Sequence, residues 1–265
     1  MEVAWSLVLF TVLSGCGGWL LAAITIDEFT GAGKANFKAG IVGLVLLAVG
    51  GAASVTHLAH PENIFAAFNH PTSGIFVEAV LIAIAGVFAI AYLVTYERNK
   101  TARRACIAIA AIAGVVLSFM AGDSYVMSSC ANWDTPLLPL AYLGTTMAPG
   151  IALYCALAKG LDGGKDLKTF SILLAVAGAV AAVTSLLYVM HIASVPQVTA
   201  PGYGGAVIIG GIAPLVLGAV AAARPQLGAW LPAVACVCGV VGAICLRACM
   251  WMAFAPVETF FGMLP

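Results

Sequence analysis

The chain has 265 residues, of which 63% are apolar and only 8% charged, and its formal net charge at neutral pH is zero. A soluble domain carries about 25% charged residues, so this composition excludes a soluble enzyme and predicts a helical membrane protein. A chain without excess positive charge also lacks the attraction that nucleic acid exerts on its partners, and we expect no nucleic-acid partner. No polar segment is long enough for a soluble domain, so residues 1–265 are expected to form a single integral membrane domain.

Eight apolar runs are long enough to cross a bilayer, which takes about 20 residues in an α-helix. In chain order they cover residues 5–26, 39–58, 74–96, 105–127, 137–157, 170–191, 204–223 and 227–255. The sequence therefore predicts an all-α fold, a bundle of eight transmembrane helices surrounded by lipid.

The positions of Lys and Arg predict how these helices are oriented. All but one of the eleven basic residues lie in alternate gaps between the apolar runs, and the other gaps and both chain ends have none. Basic residues stay on the cytoplasmic side of an inner membrane, so both termini are expected on the outer, periplasmic side. The outer loops carry aromatic residues such as Tyr125 and Trp133. We expect these to contact either the membrane interface or a partner protein.

The remaining basic residue, Arg247, lies inside the last apolar run, where an unpaired charge costs roughly 2.5–3.5 kcal/mol. In the predicted topology Arg247 falls in the outer half of the membrane, together with His57, Glu78, Asp123 and His191. Glu78 and Arg247 are candidates for an ion pair. The inner side has no comparable set, so we expect the buried titratable groups to concentrate at one face.

This set of side chains suits the oxidation of a quinol. A quinol that loses two electrons also loses two protons, so its site needs proton acceptors. A neutral His57 can take a proton from the hydroxyl, and Glu78 can relay it to water. Arg247 would hold that carboxylate ionised or polarise a quinone oxygen.

The residues around His57 resemble a known family. Residues 56–61 read Thr-His-Leu-Ala-His-Pro, Asn69 follows the proline by eight residues, and Glu78 lies in the next helix. This pattern resembles the membrane anchor subunit of the dimethyl sulfoxide reductase family, in which Gly usually stands where this chain has Ala59. The eight spans and Arg247 in the final helix are similar as well.

The resemblance implies a fold, partners and a reaction. By that resemblance the chain anchors an iron–sulfur subunit and a molybdopterin catalytic subunit on the outer face. It oxidises menaquinol with no haem or iron–sulfur cluster of its own and passes the electrons to the iron–sulfur subunit. His57 and Glu78 match the family's quinol-site residues and are the expected catalytic pair, with Arg247, Asp123 and His191 as further quinol-binding candidates. No Cys-x-x-Cys pair is present, and we expect no metal site.

Two other functions remain open from the residues. A cytochrome b-type anchor needs His residues on two helices at the same depth, and His57 and His191 could supply one such pair. A secondary transporter is compatible with the Gly-rich and Pro-interrupted helices, although transporters usually bind their substrate near the midplane. A haem absorption band would support the first function, and substrate uptake by the chain alone would support the second.

Overall fold

The computed structural model describes residues 3–31, 33–56, 70–162 and 166–255. Within these ranges the chain is helical, and eight helices are long and apolar enough to cross a membrane. This confirms the predicted fold class. In chain order the helices are α1 (Trp5–Thr30), α2 (Asn36–Val55), α3 (Gly74–Thr95), α4 (Lys100–Asp123), α5 (Leu137–Leu161), α6 (Lys168–His191), α7 (Ala213–Ala223, preceded by a π-helical segment, Ala200–Ile212) and α8 (Trp230–Met252).

Successive helices alternate in direction, so the bundle has two ends. We call one the basic end, because it carries the connections 31–35, 96–99, 162–167 and 224–229 with their Lys and Arg residues. At the other end α1 begins, α8 ends and the connections 124–136 and 192–199 lie. We call it the acidic end, because these two connections contain no Lys or Arg and the charged residues beside and within them are Asp123 and Asp134. Which side of a membrane each end faces is still a prediction from the charge pattern.

Close helix contacts in the bundle depend on small residues. Helix α1 packs against α2, α4 and α5. Where α1 crosses α4, a Cβ atom built on Gly114 would lie only 2.5 Å from the Cα atom of Gly18. The π-helical segment meets α8 in the same way, through Gly210 and Gly242. Such contacts are typical of membrane helices, which associate by close backbone packing.

The seventh span differs from the predicted one in its start and its winding. A short 3-10 turn, Pro196–Val198, leads into the π-helical segment, so the helical path begins several residues before the predicted residue 204. The π winding gives way to α winding at Ala213, next to Pro214. Proline has no N–H for the helical ladder, so the change of winding occurs where that ladder is already interrupted.

Candidate functional site

Arg247 is fully buried in α8, in the half of the helix nearer the acidic end. Its Nε atom donates a hydrogen bond to Thr11 Oγ1 at 2.7 Å, and its Nη1 atom donates to Thr145 Oγ1 at 3.2 Å and to the carbonyl of Ala243 at 3.0 Å. The guanidinium carbon lies 4.1 Å from the centre of the Tyr142 ring. The second terminal nitrogen, Nη2, has no hydrogen-bond partner among the described residues. Three helices therefore fix this charge and leave one donor nitrogen free.

The candidate ion pair between Glu78 and Arg247 does not form. Among the described residues, the ion pair that forms joins Arg103 to Glu28 at the basic end. The Tyr142 ring covers the guanidinium of Arg247, and Tyr125 packs on Tyr142 with ring centres 6.1 Å apart. Aromatic rings, and not a carboxylate, are therefore the neighbours of this buried charge.

Glu78 lies in the second turn of α3, and its hydrogen-bond partner is Ser124, the residue that follows α4. The Ser124 hydroxyl donates to Glu78 Oε1 at 2.6 Å and lies 2.9 Å from the carbonyl of Met120. Gly74 makes this approach possible, because a Cβ atom there would lie 2.5 Å from Ser124 Oγ. When Glu78 is protonated, it can donate to Ser124, which then donates to Met120. Both protonation states of the carboxyl therefore have a hydrogen-bonding arrangement.

An aromatic cluster connects the surroundings of Glu78 with those of Arg247. It consists of Tyr125, Trp133, Tyr142, Trp251 and Phe254. Tyr125 lies 5.8 Å from both Trp133 and Trp251, in edge-to-face geometry. Burial raises the pKa of Tyr125, the Glu78 carboxylate acts in the same direction and the Arg247 guanidinium acts against it. Tyr125 is thus within electrostatic range of both charged groups.

Trp133 has a different environment from either of the two that we expected. It is only 3% exposed, and its Nε1 atom donates to the carbonyl of Met250 at 2.9 Å. The next contact along the loop is equally internal, because Asn132 Nδ2 donates to the carbonyl of Ala253 at 2.7 Å. The connection between α4 and α5 is therefore folded back against the end of α8, and Trp133 belongs to the core of this chain.

Two other predicted site residues, Asp123 and His191, lie at the surface of the bundle. Asp123 is exposed at the end of α4, and its side chain has no hydrogen bond or ion pair among the described residues. His191 is exposed at the end of α6, with Nε2 3.4 Å from the carbonyl of Ala131 and its ring stacked on Tyr188. His57 lies outside the described residues. Of the predicted set, the structure thus brings Glu78 and Arg247 to a common group of side chains, and it leaves Asp123 and His191 at the surface.

Several neighbours of these groups were not among the sequence-based candidates. Thr11 and Thr145 hold Arg247, Ser124 holds Glu78, and Tyr142 lies over the guanidinium. The sequence feature that points to such neighbours is the arginine within an apolar run, because a buried guanidinium has five N–H groups that need hydrogen-bond acceptors. The sequence does not reveal which hydroxyls of other helices provide them.

The expectation that buried titratable groups concentrate at one face was wrong. At the basic end Glu28 is fully buried and pairs with Arg103, with 2.8 Å between Oε2 and Nη2. The Tyr92 hydroxyl donates to Glu28 Oε1 at 2.9 Å and Asn36 Nδ2 donates to the same atom at 3.3 Å. Tyr154 in turn donates to Asn36 Oδ1 at 3.0 Å. Five helices, α1 to α5, contribute to this network.

The network also explains why α1 is longer than predicted. The predicted first span, residues 5–26, ends before Asp27 and Glu28, two carboxylates that would be costly in lipid without partners. Both are 1% exposed or less, yet both are satisfied: Asp27 Oδ2 accepts the backbone N–H of Gly33 at 2.7 Å, and Glu28 has its ion pair. The helix therefore continues to Thr30.

Eight apolar helices, with a buried arginine and a half-buried carboxyl group near one end of the bundle, define a polytopic membrane protein with a polar site close to one bilayer surface. The chain belongs to the DMSO reductase anchor subunit (DmsC) family, whose model matches residues 1–202. No individually curated protein matches it at a significant level. The matched residues include Glu78 and Tyr142, whereas Arg247 lies beyond them.

Family membership confirms the resemblance noted in the sequence. The protein is a membrane anchor subunit of a DMSO reductase complex, which is an oxidoreductase, and its partners are the catalytic and iron–sulfur subunits of that complex. It is a multi-pass membrane protein.

Proposed function

We propose that the chain binds menaquinol at the acidic end, near Glu78 and Arg247, and oxidises it for the iron–sulfur subunit. The observation that supports this most strongly is the free Nη2 nitrogen of Arg247. A fully buried guanidinium with one unused donor and no carboxylate partner among the described residues is suited to a neutral ligand oxygen. The quinol oxygens are such acceptors, and the aromatic cluster offers flat apolar walls for the ring.

The reaction at this site converts a quinol to a quinone, two electrons and two protons. We assign one proton to the Glu78 carboxylate, which accepts it from a quinol hydroxyl and later releases it to water. Ser124 serves both states of Glu78, as donor to the carboxylate and as acceptor from the carboxylic acid. The second proton we assign to His57, which lies outside the described residues. The electrons leave to the iron–sulfur subunit.

Arg247 has a separate role in this proposal. Its Nη2 atom donates to one of the two quinol oxygens, both of which become carbonyl oxygens in the quinone, so it fixes the ring and stabilises the negative charge that develops on that oxygen as its proton leaves. The donor is positioned in advance, because the other nitrogens are held by Thr11, Thr145 and Ala243.

The charge pattern predicts on which side of the membrane the quinol protons are released. If the acidic end faces the outside of the inner (cytoplasmic) membrane, as the Lys and Arg distribution predicts, the protons leave on the outer face. The soluble subunits would lie on that same face and consume protons there. We therefore expect turnover to generate little transmembrane charge, and a strong inside-negative potential in vesicles that contain the complex would contradict this orientation.

The proposal is tested by titrating the purified complex with a fluorescent quinol analogue. Glu78→Gln keeps the size of the side chain and removes the proton-accepting carboxylate, so we expect weaker binding of the analogue with normal recovery of both soluble subunits. The matched control is Glu97→Gln, at an exposed carboxylate of the basic end, which should bind the analogue as the unmodified complex does. Equal affinity in the Glu78→Gln and unmodified complexes would overturn the assignment of Glu78.

A further inference from the structure

A small cleft with both charged and apolar lining residues lies at the basic end, where α5 and α7 end and α6 and α8 begin. Its volume is about 50 Å³, and its polar lining consists of Lys159, Asp166, Ser171 and Arg224. It is separate from the network around Glu28, which α1 to α5 form, and it is at the opposite end of the bundle from Glu78 and Arg247.

The cleft has an excess of positive charge. Among the described residues, neither Lys159 nor Arg224 has an ion-pair partner within 4.0 Å. The acidic residue of the cleft, Asp166, accepts the backbone N–H of Lys168 at 2.9 Å through Oδ1. Two cationic side chains therefore face one carboxylate that already has a hydrogen bond.

An apolar groove adjoins the cleft along the same helix pair. It runs between α6 and α7, from Lys168 at the basic end along Ile172 to Ala179, and has a volume of about 470 Å³. Alanines at positions 175, 179, 219, 222 and 223 leave the groove open. The twelve residues from Lys168 to Ala179 span about 16 Å of helix, which is about half the hydrocarbon thickness of a bilayer.

The cleft and the groove meet at the first turn of α6 and the last turns of α7. The first turn of α6 contributes Leu167 and Ser171 to the cleft and Lys168 and Ile172 to the groove. The last turns of α7 contribute to both in the same way, because Ala221 lines the cleft and its neighbours line the groove.

We propose that this end of α5 to α8 is a binding site for an anionic phospholipid, with the headgroup phosphate in the cleft and one acyl chain in the groove. The cations of the cleft match an anionic headgroup. The groove matches an acyl chain because its lining is largely apolar and its length is about that of one leaflet of the bilayer. This site is independent of the proposed quinol chemistry.

The headgroup part is tested on the purified intact complex by native mass spectrometry after detergent washing and addition of phosphatidylglycerol. The variant Lys159→Gln/Arg224→Gln removes both cations of the cleft. The matched control, Arg98→Gln/Lys100→Gln, removes two exposed cations at the same end, one in the connection between α3 and α4 and one in the first residue of α4. Each basic residue near an anionic lipid is worth about fivefold in affinity, so we expect the cleft variant to bind phosphatidylglycerol about 30-fold more weakly and the control to bind it normally.

Two further experiments distinguish the phospholipid from other ligands. We expect phosphatidylglycerol to raise the thermal unfolding temperature of the complex, and inorganic phosphate and phosphatidylcholine not to do so. Ala179→Leu fills the groove and should weaken phosphatidylglycerol binding with the cleft intact. The proposal is overturned if the cleft variant retains the lipid like the control, if phosphate alone stabilises the complex equally, or if Ala179→Leu has no effect on lipid retention.

Discussion

Replacing Arg247 by Met should abolish an interaction with quinol at little cost to folding. Arg247 forms no ion pair with a carboxylate among the described residues. Its removal therefore leaves no buried negative charge without a partner. The hydroxyls that bind it keep partners, because Thr11 donates to the carbonyl of Val8 at 3.3 Å and Thr145 donates to that of Ala141 at 2.7 Å. We therefore expect the free energy of unfolding to change by less than about 1.5 kcal/mol.

The effect on turnover should be much larger. A hydrogen bond from a charged donor is worth about 1.5–3 kcal/mol, which corresponds to about a 10- to 150-fold loss of kcat/KM for quinol. The assay compares quinol-dependent reduction of the terminal acceptor with the activity of the attached soluble subunits towards an artificial dye, which bypasses the anchor. Arg247→Lys keeps the charge but loses the fixed fork of donors, and should give an intermediate value.

Two results would refute this reasoning. If Arg247→Met retains kcat/KM for quinol within about threefold of the unmodified complex, Nη2 does not contact the substrate in the way proposed. If dye-dependent activity falls in parallel with quinol-dependent activity, Arg247 supports assembly of the complex and not the quinol reaction.

The remaining predictions concern the stability of the bundle and can be measured by unfolding in mixed micelles. Arg103→Leu should cost about 3–5 kcal/mol because it leaves the fully buried Glu28 carboxylate without its cation, and Glu28→Leu should cost less because Arg103 is 14% exposed and still donates to the carbonyl of Tyr96. The double variant should cost clearly less than the sum of the two, and strictly additive effects would contradict the ion pair. Gly114→Ala should cost about 1–3 kcal/mol because its Cβ atom would meet the backbone of Gly18. Gly86→Ala, where no atom lies within 4 Å of the added Cβ, should be neutral, and an equal loss in both Ala variants would argue against the close contact.

The fold was predictable because its main determinant is local. A run of about 20 apolar residues forms a membrane helix whatever its neighbours are, and all eight predicted spans have a counterpart in the structure. The errors arose where tertiary contacts act. Helix α1 continues past Ile26 because Arg103 and Gly33 satisfy the carboxylates that follow. The seventh span begins early because π winding accommodates a glycine-rich segment beside α8.

The candidate site was predictable in part for the same reason. Glu78 and Arg247 stand out in a sequence because charges are rare in membrane spans. Their similar depth made an ion pair one candidate arrangement, but it did not reveal that Tyr142 covers the guanidinium and that Tyr125 packs on Tyr142. The network around Glu28 was missed because its members are spread over five helices. The sequence indicates how deep in the membrane each residue lies, but it does not indicate which helix packs against that residue.

The central claim of this account is that the acidic end oxidises quinol, and the most direct test is the ratio of quinol-dependent to dye-dependent activity in the intact complex. We would measure it for Glu78→Gln and His57→Ala beside the Glu97→Gln control. A lost proton acceptor typically costs at least about 100-fold, so we expect quinol-dependent turnover to fall by that factor in the first two variants, with dye-dependent activity unchanged. Unchanged quinol turnover in both variants would contradict the account.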